Sequence, residues 1–234
     1  MNMKRISAIV LSGALLTGTG LTNAQAADRY INVTATGSVK VTPDTVRINT
    51  TVFYVGATSA AAQATANTTA SALRVALKSN GIATSYIKSE SLTIYPEYNY
   101  TSDKGSVLVG YRASQSFEII VRNAANAGTV VDAITAAGGD NLVINGVTPY
   151  VYDNTKATDK ARVDAIARAK AKATSYAKLL GVKLSTVTYL DETSSPTPYP
   201  IMMATAKASD SAATTVDLGQ QDISVSVVVR WSIK

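Results

Sequence analysis

ISVSVVVRWSI, residues 223–233, has the clearest alternation of apolar and polar side chains in this 234-residue chain. A period of two is typical of a β-strand that buries one face. The side chains predicted to face a core are Ile223, Val225, Val227, Val229, Trp231 and Ile233, and those predicted to face outward are Ser224, Ser226, Arg230 and Ser232. The pattern therefore predicts a sheet that is covered on one face.

Earlier segments repeat this strand pattern. The first, Ile31–Ala35, is expected to be broken by Gly37, and Pro43-Asp44 then turns the chain into Val46–Tyr54. In the strand predicted from Leu142 to about Tyr152, Pro149 favours an edge or a bulge, because proline donates no ladder hydrogen bond. The remaining predicted strands are Tyr86–Tyr95 and Leu108–Val121, joined by a turn within Asn99–Gly105, and Leu184–Leu190.

Three segments change to the helical period. The first begins at Thr58 or Ser59 as N-cap and stops at Asn80-Gly81, and the second runs from Asn123 to Gly138-Gly139. The third opens at Thr158 and ends with Gly181 beyond its last turn. The side chains predicted to face inward are Ala62, Ala66, Ala70, Leu73 and Leu77 in the first helix, Val130, Ile134 and Ala137 in the second, and Ala161, Ala165, Ala169, Ala173, Tyr176 and Leu180 in the third.

The order of these elements predicts an α+β fold. Strands come in pairs between helices, so hairpins are expected to build a mainly antiparallel sheet with Ala-rich helices packed on one face. The order is that of two β-rich halves around one helical layer, without a convincing internal repeat.

The N-terminal 26 residues have the anatomy of a secretory signal peptide. Lys4 and Arg5 precede an apolar run from Ile6 to Leu16, and Ala24-Gln25-Ala26 supplies a cleavage site. The run is shorter than the roughly 20 residues that span a bilayer. We therefore expect residues 1–26 to be removed and residues 27–234 to be a periplasmic or secreted protein without stable membrane insertion.

Composition narrows the chemistry. The chain has no cysteine and no histidine, which excludes Ser-His-Asp and Cys-His catalysis and removes the usual zinc ligands. No catalytic residue, metal ligand or cofactor is predicted, and an enzyme is not expected. The formal net charge of +6 is spread along the chain, so nucleic acid is not an expected partner. The densest basic stretch, Lys160–Lys178, is interpreted as a solvated helix face, with an anion-binding strip as the alternative.

The segment Asp191–Gln220 interrupts the regular pattern. About 30 residues is long for a connection within a compact domain, so the segment is either a functional arm or a flexible linker. Its one apolar cluster is Ile201-Met202-Met203. Two interpretations stay open, one in which these residues tuck onto the domain surface and one in which they dock on a neighbouring subunit.

The order of short motifs along residues 27–234, many of them at predicted turns and helix ends, resembles that of the SIMPL family of bacterial periplasmic proteins. Those that carry the resemblance are Val33–Gly37 with Pro43-Asp44, Gly81-Ile82, Tyr86–Ser89, Ile94–Tyr98, Gly110–Ala113, Gly138–Asn141, Ala161-Arg162 with Ala165 and Ala169–Ala171, Gly181, and the final strand. The resemblance implies one SIMPL-like domain over 27–234 in a cell-envelope protein. It also implies a link to oxidative-stress defence in some members, immunogenicity in others, and a ring-like oligomer in one. It implies no catalytic residue.

Three functions compete at this point. The favoured one is a non-enzymatic envelope protein that forms a homo-oligomer through strand edges and the 191–220 arm. The alternative is a binding module for an envelope polysaccharide or a small anion, for which the candidate residues are Tyr95, Tyr98, Tyr100, Tyr111, Tyr150 and Tyr152. An enzyme would use Lys88 with Glu90 or Arg112 with Glu118, although both pairs are more simply outward cross-strand charges.

Overall fold

The structure, a computed structural model, describes residues 29–193, 199–201 and 213–234, with the backbone alone for 199–201. The predicted signal peptide and Met202-Met203 lie outside the described residues. The elements confirm the α+β prediction. The strands are β1 Tyr30–Val41, β2 Thr45–Gly56, β3 Ile87–Thr101, β4 Gly105–Val121, β5 Leu142–Tyr150, β6 Leu184–Glu192, β7 Tyr199–Ile201 and β8 Gln220–Ile233, and the helices are α1 Ser59–Ser79, α2 Ala127–Gly138 and α3 Thr155–Leu179.

The strands form two antiparallel sheets. In one sheet β8 lies between β1 and β6, with β7 beside the start of β8, and in the other the order is β3-β4-β2-β5. We call the first sheet with α3 the first lobe, and the second sheet with α1 and α2 the second lobe. β3 and β4 form a hairpin as expected, whereas β1 and β2, neighbours in sequence, enter different sheets. Each sheet therefore has its own helices rather than sharing one layer.

The turn at Pro43-Asp44 carries the chain from one lobe to the other. The Asp44 carbonyl oxygen accepts from the amide of Ala124 at 3.0 Å, and its carboxylate accepts from the amide of Tyr152 at 3.0 Å. Both donors belong to the second lobe. Asp44 therefore fixes the point at which β2 starts.

The first lobe packs α3 closely onto β1 and β8. The sequence had suggested that Gly37 breaks the first strand. This prediction was wrong, because β1 continues through Gly37 to Val41. A Cβ atom at position 37 would overlap the backbone of α3 at Ala161 and Ala165. The residue is small because the helix crosses the strand there. The buried side chains of α3 are Ala157, Thr158, Ala161, Ala165, Ala169, Ala173 and Ala177.

The end of α3 differs from the prediction. Tyr176 and Leu180 were expected to face inward, but they are 44% and 66% exposed. The buried stripe keeps its four-residue spacing as far as Ala177, so the flanking large residues lie off it. Gly181 follows the helix with φ +67°, as predicted, and the amide of Val182 bonds to the Ala177 carbonyl at 3.0 Å. This is the Schellman end of a helix.

The second lobe is built from larger side chains. As predicted, α1 starts after the N-cap Thr58 and buries Leu73 and Leu77. β5 lies at the edge of the sheet, where Pro149 needs no ladder partner on its free side. The large buried side chains of this core are Val46, Ile48, Val52, Leu73, Leu77, Phe117, Ile119, Val121, Val130 and Ile134.

The described parts of the 191–220 segment pack on the same chain. Asp191 and Glu192 extend β6, and the backbone of β7 pairs with Gln220–Asp222 of β8. Further on, the amide of Thr214 donates to the Asp132 carboxylate at 3.2 Å, and Val216 and Leu218 pack against the second-lobe core. The end of the segment is thus an intramolecular strap between the lobes.

Candidate functional site

Each sheet presents one face that no described helix covers. The helices lie on the opposite faces, α3 on β1 and β8, and α1 on β2 and β4. Alternation along the strands therefore turns Arg230 outward in the first lobe, and Phe53 and Arg112 outward in the second. These two open faces are the candidate functional surfaces. No helix among the described residues is long and apolar enough to cross a membrane.

The charged pairs predicted as candidate catalytic groups are only partly brought together. Lys88 and Glu90 lie 3.7 Å apart and are exposed. Arg112 and Glu118 are not partners: Arg112 forms two hydrogen bonds with Glu97, at 2.7 and 2.9 Å, and Glu118 lies 3.2 Å from Arg47. Both real pairs join diagonal neighbours on adjacent strands, which approach each other more closely than residues six apart on one strand.

The electrostatics of these pairs are those of matched surface charges. The Arg112 guanidinium, through its hydrogen bonds, lowers the pKa of Glu97 below its ordinary value, and Glu97 in turn raises the pKa of Arg112. Both groups are therefore held in their charged forms. In the part of the chain that the structure describes, no three potential metal ligands converge. The absence of catalytic residues, metal and cofactor stays a prediction.

The six candidate tyrosines do not form one surface. Tyr95, Tyr98 and Tyr100 lie exposed on the β3–β4 hairpin, whereas Tyr111 packs against a small cluster of alanines from α1 and β4. Tyr150 and Tyr152 lie at the other end of the sheet. Tyr111 is paired with Gly56 and Tyr150 with Thr45, positions about 35 Å apart along β2 at about 3.3 Å per residue. There Arg47 stacks over Tyr150, and burial raises the pKa of Tyr150.

The β3–β4 hairpin extends beyond the rest of its sheet. Towards the hairpin turn, the pairing of β4 with β2 ends at Tyr111, which lies opposite Gly56. β3 and β4 continue to pair with each other beyond this point, up to the turn after Thr101. Apolar side chains along it are exposed, with Tyr100 at 80%. The exposed large apolar residues of the hairpin are Leu92, Ile94, Tyr95, Tyr98, Tyr100, Val107, Leu108 and Val109. We call these eight residues the hairpin patch.

The open face of the second lobe has a shallow groove of about 340 Å³ beside the hairpin. The Arg112 guanidinium lies over the Phe53 ring, 4.8 Å from its centroid, and Tyr95 is the cross-strand neighbour of Arg112. Asn145 donates to the Thr51 hydroxyl at 2.7 Å. The groove is amphipathic, and its one positive charge is matched by Glu97.

The open face of the first lobe holds a different arrangement. The Arg230 guanidinium lies between two tyrosine rings, 4.3 Å from the centroid of Tyr30 and 5.6 Å from that of Tyr189. A groove of about 280 Å³ runs along it, lined also by Arg29, Thr188 and Ser232. The sequence indicated only that Arg230 faces outward. It did not show the two tyrosines, which the flanking strands β1 and β6 supply.

Comparison with known proteins gives a consistent family. The SIMPL family, described as a protein of unknown function (DUF541), matches residues 31–231. The 26 kDa periplasmic immunogenic protein of Brucella melitensis is 30% identical over 215 residues, which cover 87% of this chain and 84% of that protein. The uncharacterised protein YggE of Escherichia coli K12 is 30% identical over 206 residues, covering 86% and 82%. YggE of Edwardsiella ictaluri is 28% identical over 229 residues, covering 94% of each chain.

Proposed function

The chain belongs to the SIMPL family, and we propose that it is an exported, non-enzymatic protein of the bacterial cell envelope that self-associates through the β3–β4 hairpin. The observation that carries this proposal is the hairpin patch, five of whose eight residues lie past the last pairing of β4 with β2: Tyr98, Tyr100, Val107, Leu108 and Val109. Several large apolar side chains exposed on one projecting hairpin are typical of protein contact surfaces.

The edge position of β3 adds to this argument. β3 is the outer strand of its sheet, and it is 15 residues long. A long edge strand has unpaired backbone groups that a second chain can pair with. The hairpin therefore offers both apolar side chains and backbone hydrogen bonds to a second copy.

Export to the periplasm is supported by the relatives and by the sequence. The Brucella proteins that this chain resembles are named periplasmic. The N-terminal residues 1–26 have the composition of a cleavable signal peptide. N-terminal sequencing of the exported protein is expected to begin at Ala27, and an intact Met1 on exported protein would contradict this.

The non-enzymatic part of the proposal is supported by composition. The chain contains neither the histidine nor the cysteine on which most hydrolytic and thiol chemistry depends. The link to oxidative-stress defence that the resemblance implies is then indirect, because the chain has no thiol for a peroxide to oxidise. The purified protein is expected not to accelerate peroxide consumption, and catalytic turnover would contradict this.

Light scattering on the mature protein tests self-association. Tyr98 and Leu108 face each other across the hairpin, and replacing both with Ser removes two anchors of the hairpin patch. We expect the mass of the assembly to fall toward that of the monomer at matched concentrations, because association depends on mass action. The matched control replaces Val75 and Val163, exposed valines on α1 and α3, with Ser.

An unchanged mass in the hairpin variant, or a monomeric wild type, would contradict the proposal. A separate variant with Ser at 201, 202 and 203 tests whether the 191–220 arm takes part. We expect a smaller mass for this variant too, since each apolar anchor that is buried contributes about 1.5–3 kcal/mol. An unchanged mass for this variant alone would leave the hairpin as the contact.

A second candidate function, a binding module for an envelope polysaccharide or a small anion, is favoured by the first-lobe groove. Two exposed tyrosine rings flank an arginine there. Tyrosine offers an apolar ring face and a hydrogen-bonding hydroxyl, and arginine offers fixed donors for an anion. This function concerns the opposite lobe from the hairpin patch, so the two functions are separable.

A further inference from the structure

We infer that the first-lobe groove between Tyr30 and Tyr189 binds an acidic sugar, one whose carboxylate or phosphate pairs with Arg230 while its ring lies against the tyrosines. This inference rests on the second candidate function, ligand binding, and not on self-association. It assigns that function a site and a class of ligand.

The charge of Arg230 is the first argument. Within residues 29–193, 199–201 and 213–234, Arg47, Arg112, Arg162 and Arg168 each lie within 4 Å of a carboxylate, whereas Arg230, like Arg29, Arg74 and Arg122, has no such partner. The side chains that line the groove include a second arginine, Arg29, and no acidic residue. The groove is therefore a positively charged site open to an anion.

The unpartnered Nε of Arg230 is the second argument. Its Nε is buried and has no hydrogen-bond partner among the described residues. Tyr30 and Tyr189 offer their ring faces to the guanidinium, and a ring face does not replace an oxygen acceptor. A guanidinium binds a carboxylate or phosphate through two parallel hydrogen bonds. An oxyanion bound by this guanidinium would satisfy the one donor, Nε, that the described residues leave without a partner.

The tyrosine rings are the third argument, because they favour a sugar as the group that bears the carboxylate or phosphate. Tyr30 and Tyr189 are each 47% exposed, and they come from β1 and β6 on either side of β8. The parts of the two rings that Arg230 does not cover offer apolar surface to the C–H face of a sugar ring, and their hydroxyls suit its hydroxyl groups. The volume of about 280 Å³ is at the small end of ligand sites. It suits one sugar residue of a chain that continues along the open face.

The serine and threonine hydroxyls near the groove already form hydrogen bonds within the chain. Contacts with a ligand therefore fall mainly to the arginine and tyrosine side chains. Ser232 and Thr186 bond to each other at 3.2 Å, and the Thr188 hydroxyl donates to the Arg230 carbonyl at 3.4 Å. These contacts hold β6 against β8 and so fix the spacing of the rings. Arg230, Tyr30 and Tyr189, with Arg29 beside them, are left to contact the ligand.

Isothermal titration of the mature protein with a galacturonic acid hexamer tests the inference. The comparison probes are a neutral glucose hexamer and inorganic phosphate. We expect the acidic hexamer to bind, with an affinity that falls at high salt, and the other two probes to bind at least tenfold more weakly. Arg230→Gln is expected to weaken binding of the acidic hexamer at least tenfold, and Arg230→Lys, which keeps the charge but loses the planar fork, by a smaller factor.

Arg112→Gln is the matched control, since it removes a ring-stacked arginine from the other open face. It is expected to bind as the wild type does. Equal binding of the neutral hexamer or of phosphate would overturn the inference, as would an unaffected Arg230→Gln or a wild type that does not bind. The hairpin variant with Ser at 98 and 108 binds normally if the groove acts alone, so loss of self-association and loss of binding are distinguishable.

Discussion

The two lobes attach their helices to their sheets in opposite ways. In the second lobe, leucine, isoleucine, valine and phenylalanine side chains fill the space between α1, α2 and the sheet. In the first lobe, α3 contributes mainly alanines, and its backbone touches β1 at Gly37. The first lobe therefore depends on close backbone approach, and the second depends on buried side-chain volume.

The difference predicts opposite sensitivities to mutation. A core that is thick with large side chains loses stability when atoms are removed, because a cavity remains. A core that depends on contact between backbones loses stability when atoms are added, because the backbone cannot rotate out of the way. The two lobes can therefore be distinguished by the direction of a substitution in size.

The largest effect is expected for Phe117→Ala in the second lobe. Phe117 is fully buried, and Arg74 stacks on its ring. Loss of the ring is expected to cost about 3–5 kcal/mol of unfolding free energy, measured by urea denaturation. The chain's other phenylalanine, Phe53, lies on the open face, and Phe53→Ala is the control, expected to cost about 1 kcal/mol or less. Equal losses would mean that side-chain volume does not hold this lobe together.

Gly37→Val is expected to have the next largest effect, in the first lobe. The added Cβ overlaps the backbone of α3, and overpacking of this kind costs about 3 kcal/mol. For a domain of this size the melting temperature should fall by about 6–12 °C. Gly146 is also a strand glycine, but a Cβ there would meet no atom within 4 Å. If Gly146→Val lowers the melting temperature as much, the close approach of α3 is not the cause.

The same two kinds of packing explain which parts of the fold could be predicted from the sequence. Periodicity showed the strands and the inward stripe of α1, since a helix that packs through Leu73 and Leu77 has a clear apolar face. Periodicity placed Tyr176 and Leu180 wrongly, because alanine alone marks the buried stripe of α3 and larger neighbours outweigh it. Gly37 was misjudged for a related reason. A glycine within a strand can either end the strand or make room for a helix that packs on it, and the sequence alone does not distinguish the two.

The candidate site was less predictable than the fold. Arg230 was correctly expected to face outward, but its neighbours Tyr30 and Tyr189 come from strands at opposite ends of the sequence. Cross-strand register also decided that Arg112 pairs with Glu97 rather than Glu118. In the β3–β4 hairpin the register depends on the turn and on the irregularity between Glu97 and Tyr98, and around Arg230 it depends on strands far apart in sequence. Alternation within one strand indicates neither.

Gly81 and Gly181 offer a test in which the lobes should behave alike. Each follows a long helix with positive φ, +77° and +67°, and a Cβ at either would meet no atom within 4 Å. Only the backbone conformation is then penalised, so Gly81→Val and Gly181→Val should each cost about 1–2 kcal/mol. Thermal unfolding of the two variants compares them directly. A much larger loss at one position would show that its helix end is held by packing rather than by the glycine.

The smallest expected effect concerns the charges of the open faces, where the pair of Glu97 and Arg112 in the second lobe has no counterpart around Arg230. The Arg112 guanidinium holds the pKa of Glu97 in the folded chain below the ordinary value of about 4.3. A lowered folded pKa gives stability that is present above the ordinary value and is lost as the pH falls through the lowered one. Wild type should therefore be slightly more stable than Glu97→Gln at pH 7, and the two should converge as the pH falls below about 4.

Urea midpoints measured from pH 7 to pH 3 test this expectation. The control is Glu90→Gln, which removes the acidic partner of the exposed 3.7 Å pair with Lys88 and is expected to stay level with wild type. A difference between wild type and Glu97→Gln that does not shrink at all between pH 7 and pH 3 would mean that Glu97 acts through packing and not through its charge.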